Sequence, residues 1–209
     1  MNGIRFMALG LLVVVTAGSH AATNNRAEKR SKEAVALHAL FDEEWEHSMR
    51  VNPTWASRLG DRRWNNQWED ASPAAAQKEH ERDKRVLAQL KKIDRAKLTP
   101  VDQLNYDLFQ KRYALDVEGF PYKWHLVALN QRDGIQTSDE LADALRFQTA
   151  KDYEDWIARL QKFGAYTDQT IALLREGIKE RVVLPKVTMK RVPGQIEKQL
   201  VRHFWKRFQ

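Results

Sequence analysis

The stretch SKEAVALHALFDEEWEHSMR, which runs from Ser31 to Arg50, decides the fold class. Its apolar side chains recur at intervals of three and four residues, which is the spacing of one face of an α-helix. These side chains belong to Leu37, Leu40, Phe41, Trp45 and Met49. The pattern predicts an amphipathic helix that buries one apolar stripe against the rest of the protein.

Similar helix signals follow along the chain. A Ser or Thr before proline is typical of a helix start, because the hydroxyl caps a free backbone N–H and proline has no N–H to leave unpaired. Such starts occur at Ser72 and Thr99, and Thr149 with Asp152 has the spacing of a capping box. Two of the predicted helices carry apolar sides, formed by Val101, Leu104, Leu108 and Leu115, widened by Phe109 and Tyr113, and by Tyr153, Trp156, Ile157 and Leu160. We therefore predict an all-α protein with antiparallel neighbouring helices.

Two long segments interrupt the helical period, at about residues 51–72 and 119–137. The first contains NPTWASRLGDRRWNNQWEDASP, with three tryptophans among charges and amides, and the second contains GFPYKWHLVALNQRDGIQ. Long connections in a compact protein are usually functional or held in place by their own side chains. We predict that both are ordered, and the alternation of Val127 and Leu129 allows a short strand in the second.

The two connections carry the candidate ligand contacts. Aromatic rings beside arginines could stack on a sugar or a peptide, and polar groups near a glycine could bind one. The candidates are Arg62, Arg63, Trp64, Asn66 and Trp68 in the first connection, and His125, Asn130, Gln131, Arg132 and Asp133 in the second. The alternative is that the rings pack the connections onto helices while the polar groups satisfy the backbone. We favour packing, with rings that also line one wall of a cleft.

No complete catalytic motif is present in the sequence. The zinc helix H-E-x-x-H, the G-x-S-x-G elbow, the phosphate-binding loop and the dinucleotide glycine pattern are all absent. Glu43 and His47 lie one helical turn apart, but two ligands are too few for a metal site. We therefore predict no catalytic, metal-binding or cofactor-binding residue in this chain.

The N-terminus predicts export. Arg5 precedes the apolar run FMALGLLVVVTAG, which is too short to span a bilayer comfortably, and Ser19 and Ala21 suit cleavage after Ala21. An uncleaved membrane anchor is the alternative. The chain has no cysteine, so it has neither a lipoprotein anchor nor a disulfide. We predict an exported, periplasmic protein that has no membrane contact once the signal is cleaved.

The charge does not single out a nucleic-acid partner. The net charge is +7, and removal of residues 1–21 leaves +6. A basic protein could meet nucleic acid or anionic lipid. However, basic and acidic residues alternate, as in EHERDKR, which is typical of a solvated helix face. We therefore predict no nucleic-acid partner.

Five stretches, in this order, resemble the bacterial domain-of-unknown-function 885 family. They are NPTWASRLGDRRWN, LTPVDQLNYDLF, HLVALNQRDGIQ, TAKDYEDWIARL and IALLREGIKERVVLPK, and the resemblance covers about residues 37–201. It implies a mostly helical, exported protein related to zinc metallopeptidases, in which zinc-activated water cleaves peptide bonds. In that family the zinc motif lies in a C-terminal half that no residue here matches. Zinc is therefore implied for full-length members only, and a peptide substrate only if a C-terminal half completes the chain.

The signal pattern and the resemblance together divide the chain into four expected parts. They are a signal peptide at 1–21, the mobile N-terminus of the mature chain together with the start of the first helix at 22–36, the helical N-terminal region at 37–201 and a tail at 202–209 without resemblance. The tail sequence RHFWKRFQ fits a shifted reading frame or an early stop. The expected function is the helical N-terminal part of an exported metallopeptidase-like protein, inactive alone. The alternative is a self-contained periplasmic module that binds a peptide, glycan or protein partner.

Overall fold

The computed structural model describes residues 31–199, and this part of the chain is all-α, as predicted. No strand occurs within that range, so the alternation of Val127 and Leu129 does not form one. The predicted signal peptide and tail lie outside the described residues. The helices are α1 (Lys32–Val51), α2 (Pro53–Arg58), α3 (Pro73–Leu90), α4 (Pro100–Gly119), α5 (Glu140–Ala144), α6 (Ala150–Gln161), α7 (Phe163–Lys179), α8 (Lys186–Met189) and α9 (Val192–Gln199).

The helices begin where the sequence places their caps. The Ser31 hydroxyl accepts a hydrogen bond from the Ala34 N–H at 3.1 Å, and Ser72 caps α3 in the same way. Thr99 caps α4 through the Asp102 N–H. Each cap satisfies one of the four N–H groups that a helix start leaves without an internal partner. These starts are local, so the sequence predicts them without knowledge of the tertiary structure.

The main core lies where α1, α3 and α4 pack together. It is formed by the buried residues Ala34, Leu37, Leu40, Val86, Leu90, Leu98 and Tyr106, with Phe41, Ile93, Phe109 and Tyr113 packed against them. Burying one such aliphatic side chain contributes about 1.5–3 kcal/mol to the free energy of unfolding, so this cluster stabilises the packing of the three helices. Most of the stripe predicted on α1 is buried, but Trp45 is 46% exposed.

Two helices do not bury their predicted apolar sides within residues 31–199. On α4 the exposed fractions are 69% for Val101, 58% for Leu104, 44% for Leu108 and 55% for Leu115, because the aromatic side of that helix faces the core. On α6 Asp152 and Arg159 are buried instead, while Tyr153, Ile157 and Leu160 are about half exposed. The described part of the chain therefore leaves two apolar helix faces uncovered.

Both predicted connections are ordered. The first contains α2 and a short 3₁₀ turn at Arg62–Trp64, and the second contains 3₁₀ turns at Phe120–Tyr122, Trp124–Leu126 and Ile135–Thr137. Within the described range, no helix combines the length and apolar character needed to cross a bilayer.

Candidate functional site

A cavity of about 730 Å³ opens where the two connections meet. Its walls come from both connections, from the ends of α1 and α4, from the start of α3, and from α5 and α7. A smaller hollow of about 330 Å³ between α1 and α3 contains none of the predicted contact residues. Binding sites are usually the larger concave regions with a few converging polar groups, so the cavity between the connections is the candidate site.

The structure brings three of the predicted contact residues to this cavity. Trp68 comes from the first connection, and His125 and Asp133 come from the second. The others make bonds or contacts elsewhere, or are exposed, and do not line it: Arg62, Arg63, Trp64, Asn66, Asn130, Gln131 and Arg132. A role in ligand binding stays a prediction for the three residues that line the cavity.

Trp68 docks the first connection onto α6 and α7. Its indole Nε1–H donates a hydrogen bond to the Arg159 carbonyl at 2.7 Å, and its ring stacks on Tyr166 with the ring centres 5.2 Å apart. Phe163 contacts the same ring at 5.3 Å. The tryptophan is therefore both a packing residue and part of the cavity wall.

Arg159 holds the same connection from inside the protein, and sequence reasoning missed it. The side chain is completely buried, and its guanidinium donates to the Trp64 carbonyl at 2.7 Å and to the Ser57 hydroxyl at 2.9 Å. Burial lowers the pKa of Arg159 to about 10, so the group is still a cation at neutral pH. The sequence could have indicated that Arg159 is buried, because it lies two helical turns after Asp152, on the side of α6 opposite the apolar residues.

Arg62 fixes the connection at the start of α6. It forms an ion pair with Asp152, whose carboxylate also accepts hydrogen bonds from the backbone N–H groups of Gln148 and Thr149. Burial opposes ionisation of this carboxyl, but the bonds from Thr149, Gln148 and Arg62 outweigh it and lower the pKa of Asp152 to about 2. Arg62 is therefore a clamp and not a free cation of the cavity.

We expect Asp152→Asn to lower the melting temperature by several degrees at pH 7, because the amide cannot replace an ionised cap. A carboxyl with a lowered pKa stabilises the fold above its unfolded pKa and loses this contribution as pH falls towards about 2. The difference from the wild type should therefore shrink between pH 7 and pH 3. Thermal melts followed by far-ultraviolet dichroism measure it, with Glu154→Gln, at an exposed position of the same helix, as the control. A difference that is equally large at both pH values would contradict this account.

Arg63, the neighbour of Arg62 in the chain, lies on the surface. Its guanidinium contacts the carboxylates of Glu46 and Asp61, each at 2.7 Å, and lies 6.0 Å from the centre of the Trp64 ring. Both Arg63 and Glu46 are about half exposed, so these bonds add little to stability.

The second connection is held by its own backbone and amides. The Asn130 N–H donates to the Asp133 carbonyl at 2.8 Å, and the Asn130 side-chain oxygen accepts from the Arg132 N–H at 2.8 Å. Gly134 has a φ of 140°, and a Cβ at that position would clash with Leu129. This tight turn leaves Arg132 exposed and leaves the Asp133 carboxylate at the cavity.

One acidic residue from each connection lines the cavity together with Tyr166: Glu69 from the first and Asp133 from the second. Glu69 accepts hydrogen bonds from the N–H and the hydroxyl of Thr54, and burial raises the pKa of Glu69. Burial also raises the pKa of Tyr166, and the charges of Glu69 and Asp133 raise it further.

The histidines near the cavity do not form a metal site with other groups. Phe120 stacks between His80 and His125, with ring centres 3.9 Å and 4.9 Å apart, and burial lowers the pKa of His80. The His47 ring contacts the Glu79 carboxylate at 2.7 Å. Among the described residues, no group of three or more His, Cys, Asp or Glu side chains could hold a metal ion. The zinc implied by the resemblance therefore has no fitting ligand set in this range.

The chain matches one family in the comparisons with known proteins. The model for "Bacterial protein of unknown function (DUF885)" matches residues 53–207. The match begins at the start of α2 and includes all but the first two residues of the first connection, the whole second connection, and every cavity-lining residue except Arg50, Val51 and Asn52. A search of curated proteins found no match.

Proposed function

The chain belongs to the bacterial family DUF885, and we propose that it is the helical N-terminal part of an exported, zinc-metallopeptidase-like protein of that family. In this proposal the chain supplies one wall of a peptide-binding cleft and is inactive alone. The catalytic metal and its ligands belong to a C-terminal part, so no step of the chemistry is assigned to residues 31–199.

The observation that carries the proposal is the exposed apolar side of α4. Four aliphatic residues at helical spacing are 44–69% exposed there, although each would gain free energy from burial. A second uncovered face on α6 is formed by Tyr153, Ile157 and Leu160. Contiguous apolar surface of this kind usually marks an interaction site, and a further part of the same protein is the occupant that the family resemblance suggests.

The cavity supports the peptide-binding part of the proposal. Its volume of about 730 Å³ is within the range of sites that take small ligands or a few residues of a peptide. It combines aromatic walls, such as Trp68 and Trp124, with carboxylates from both connections. This combination suits a peptide ligand, because aromatic rings can pack on the peptide's side chains while polar groups hold its backbone.

The alternative function is a self-contained periplasmic module that binds a peptide, glycan or protein. The observation in its favour is the buried cluster between α1, α3 and α4, which is a core of its own. This alternative needs no second part, and it leaves the apolar side of α4 without a role.

An assay of association separates the two functions. Residues 22–209 are produced together with the C-terminal region of a longer family member, and co-purification and zinc-dependent peptide cleavage are measured. We expect association and cleavage with both parts, and no cleavage by this chain alone. Leu104→Glu with Leu108→Glu should abolish association, because two charges cannot be buried in an apolar interface.

Leu59→Glu is the matched control for that double variant. Leu59 is 47% exposed, caps the C-terminus of α2 and is not part of the α4 face, so this charge should leave association unchanged. Because all three leucines are exposed, the variants should melt within a few degrees of the wild type. The alternative function would be supported if this chain bound a peptide by itself and did not associate with the C-terminal region.

A further inference from the structure

We propose that residues 178–191, here called the basic segment, bind the surface of a bilayer that contains anionic lipids. The segment comprises the end of α7, the turn that follows it, α8 and the two residues after α8. The sequence as a whole predicts no membrane contact after signal cleavage, and the local charge of this segment is the reason to depart from that prediction. The proposal goes beyond the proposed function, because it concerns a different surface and needs no second part of the protein.

The first argument is the concentration of positive charge in this segment. Residues 31–199 contain 28 lysines and arginines and 27 aspartates and glutamates, so their net charge is +1. The basic segment has five cations and one acidic residue and carries +4, so the other described residues are net negative. A surface of one sign attracts partners of the opposite sign. The cations are Lys179, Arg181, Lys186, Lys190 and Arg191.

The second argument is that these five cations are available to a partner. All of them are exposed, and the ion pairs among residues 31–199 include none of them. Glu180, the acidic residue of the segment, instead pairs with Lys123 of the second connection. Surface arginines elsewhere, such as Arg63 and Arg95, are bonded to carboxylates. The positive charge of the basic segment is therefore not neutralised by its described neighbours.

The third argument is the aliphatic side chains that lie between these cations. Ile178 is 68% exposed, Val183 62% and Val187 81%. A bilayer surface accepts both kinds of side chain, because the aliphatic ones enter the boundary below the headgroups while Lys and Arg stay at the phosphates. The segment has no aromatic residue, Asn or Gln, which surfaces that bind nucleic acid use for stacking and for base contacts. The combination favours a lipid surface over nucleic acid.

The fourth argument is that the backbone is fixed on both sides of the segment. Arg181 has a left-handed φ of 59°, and the Val182 N–H donates to the Gly177 carbonyl at 2.8 Å, so α7 ends in a Schellman motif. After the segment, the Gln195 amide donates to the Gln131 carbonyl of the second connection at 3.0 Å. A segment that is already ordered loses less conformational entropy when it binds.

Sedimentation of residues 22–209 with sucrose-loaded vesicles tests the proposal. One set of vesicles contains equimolar phosphatidylglycerol and phosphatidylcholine, and the other contains phosphatidylcholine alone. We expect about tenfold tighter binding to the anionic vesicles, or more, and weaker binding as NaCl rises from about 50 mM to about 500 mM, because salt screens the attraction. Equal binding to the two sets of vesicles would overturn the proposal.

Paired charge variants locate the contact. Lys186 and Lys190 lie one turn apart on α8 and its C-cap, and each cation near an anionic surface contributes about fivefold to affinity. Lys186→Gln with Lys190→Gln should therefore weaken vesicle binding about twentyfold. Lys91→Gln with Lys92→Gln removes the same charge from exposed positions after α3 and should change it less than about twofold. Equal weakening by the two pairs would mean that only net charge matters, which would overturn the proposal.

The tail at 202–209 is also basic, and a third pair separates it from the segment. Arg202→Gln with Arg207→Gln changes the net charge by the same amount as each of the other two pairs. We expect these tail variants to retain the preference for anionic vesicles. If they lost all binding while Lys186→Gln with Lys190→Gln kept it, the contact would belong to the tail and the proposal would be overturned.

The aliphatic side chains distinguish a lipid surface from an acidic protein. Val183→Ser with Val187→Ser should weaken binding to anionic vesicles several-fold and leave binding to soluble polyglutamate unchanged. Tighter binding of polyglutamate than of the vesicles, lost in Lys186→Gln with Lys190→Gln, would indicate an acidic protein partner and overturn the lipid proposal. None of these variants lies on α4, so the association assay tests the proposed function independently.

Discussion

Replacing Arg159 with methionine is expected to lower the free energy of unfolding by about 3 kcal/mol. The guanidinium is the donor for the Trp64 carbonyl and the Ser57 hydroxyl, and methionine leaves both acceptors buried without that bond. Each lost partner costs about 1–3 kcal/mol. Relief of the buried charge offsets part of this loss, because burial already lowers the pKa of the group.

Urea unfolding of residues 22–209, followed by tryptophan fluorescence, measures the change. Lys162→Met is the control, since Lys162 donates one exposed hydrogen bond to the Asn66 carbonyl of the same connection. The control should change the free energy of unfolding by less than about 1 kcal/mol. A methionine variant as stable as the wild type would mean that hydrophobic packing alone holds the connection, as happens when some buried ion pairs are replaced by apolar residues.

The sequence predicts those parts of the fold that depend on neighbouring residues. The hydroxyl of Ser31 or Thr99 caps a helix that begins one residue later, so the signal and the structure are adjacent in the chain. The apolar period of α1 likewise identifies a helix and the side of it that is mostly buried. The all-α class follows from such local signals alone.

The remaining features depend on contacts between distant parts of the chain. Periodicity identifies an apolar side on α6, but it cannot show that the side with Asp152 and Arg159 is the buried one. Arg159 contacts residues about a hundred positions earlier, and no local sequence pattern predicts a partner so far away along the chain. The sequence could limit the candidate ligand contacts to the two connections. Only the tertiary structure shows that both connections line one cavity.

Trp68 connects the packing of the first connection with the cavity, so its truncation is the second variant with a large expected effect. Trp68→Ala should lower the free energy of unfolding by about 3 kcal/mol, through loss of the stacked ring and of the hydrogen bond to the Arg159 carbonyl. Trp68→Phe keeps an aromatic ring and should cost less. Trp124→Ala is the control, because Trp124 lines the same cavity but is 52% exposed.

The same series decides between packing and binding as the main role of the tryptophans. Trp64→Ala should also destabilise the protein, but less than Trp68→Ala, because the connection uses the backbone carbonyl of Trp64 and keeps it in the variant. If packing is the main role, Trp64→Ala and Trp68→Ala both lower the free energy of unfolding. Trp124→Ala then changes only the affinity for a ligand. If Trp68→Ala has the same free energy of unfolding as the wild type yet loses affinity for a peptide that the wild type binds, the ring is part of a binding surface. The connection is then held in place by Arg159 and Arg62 without it.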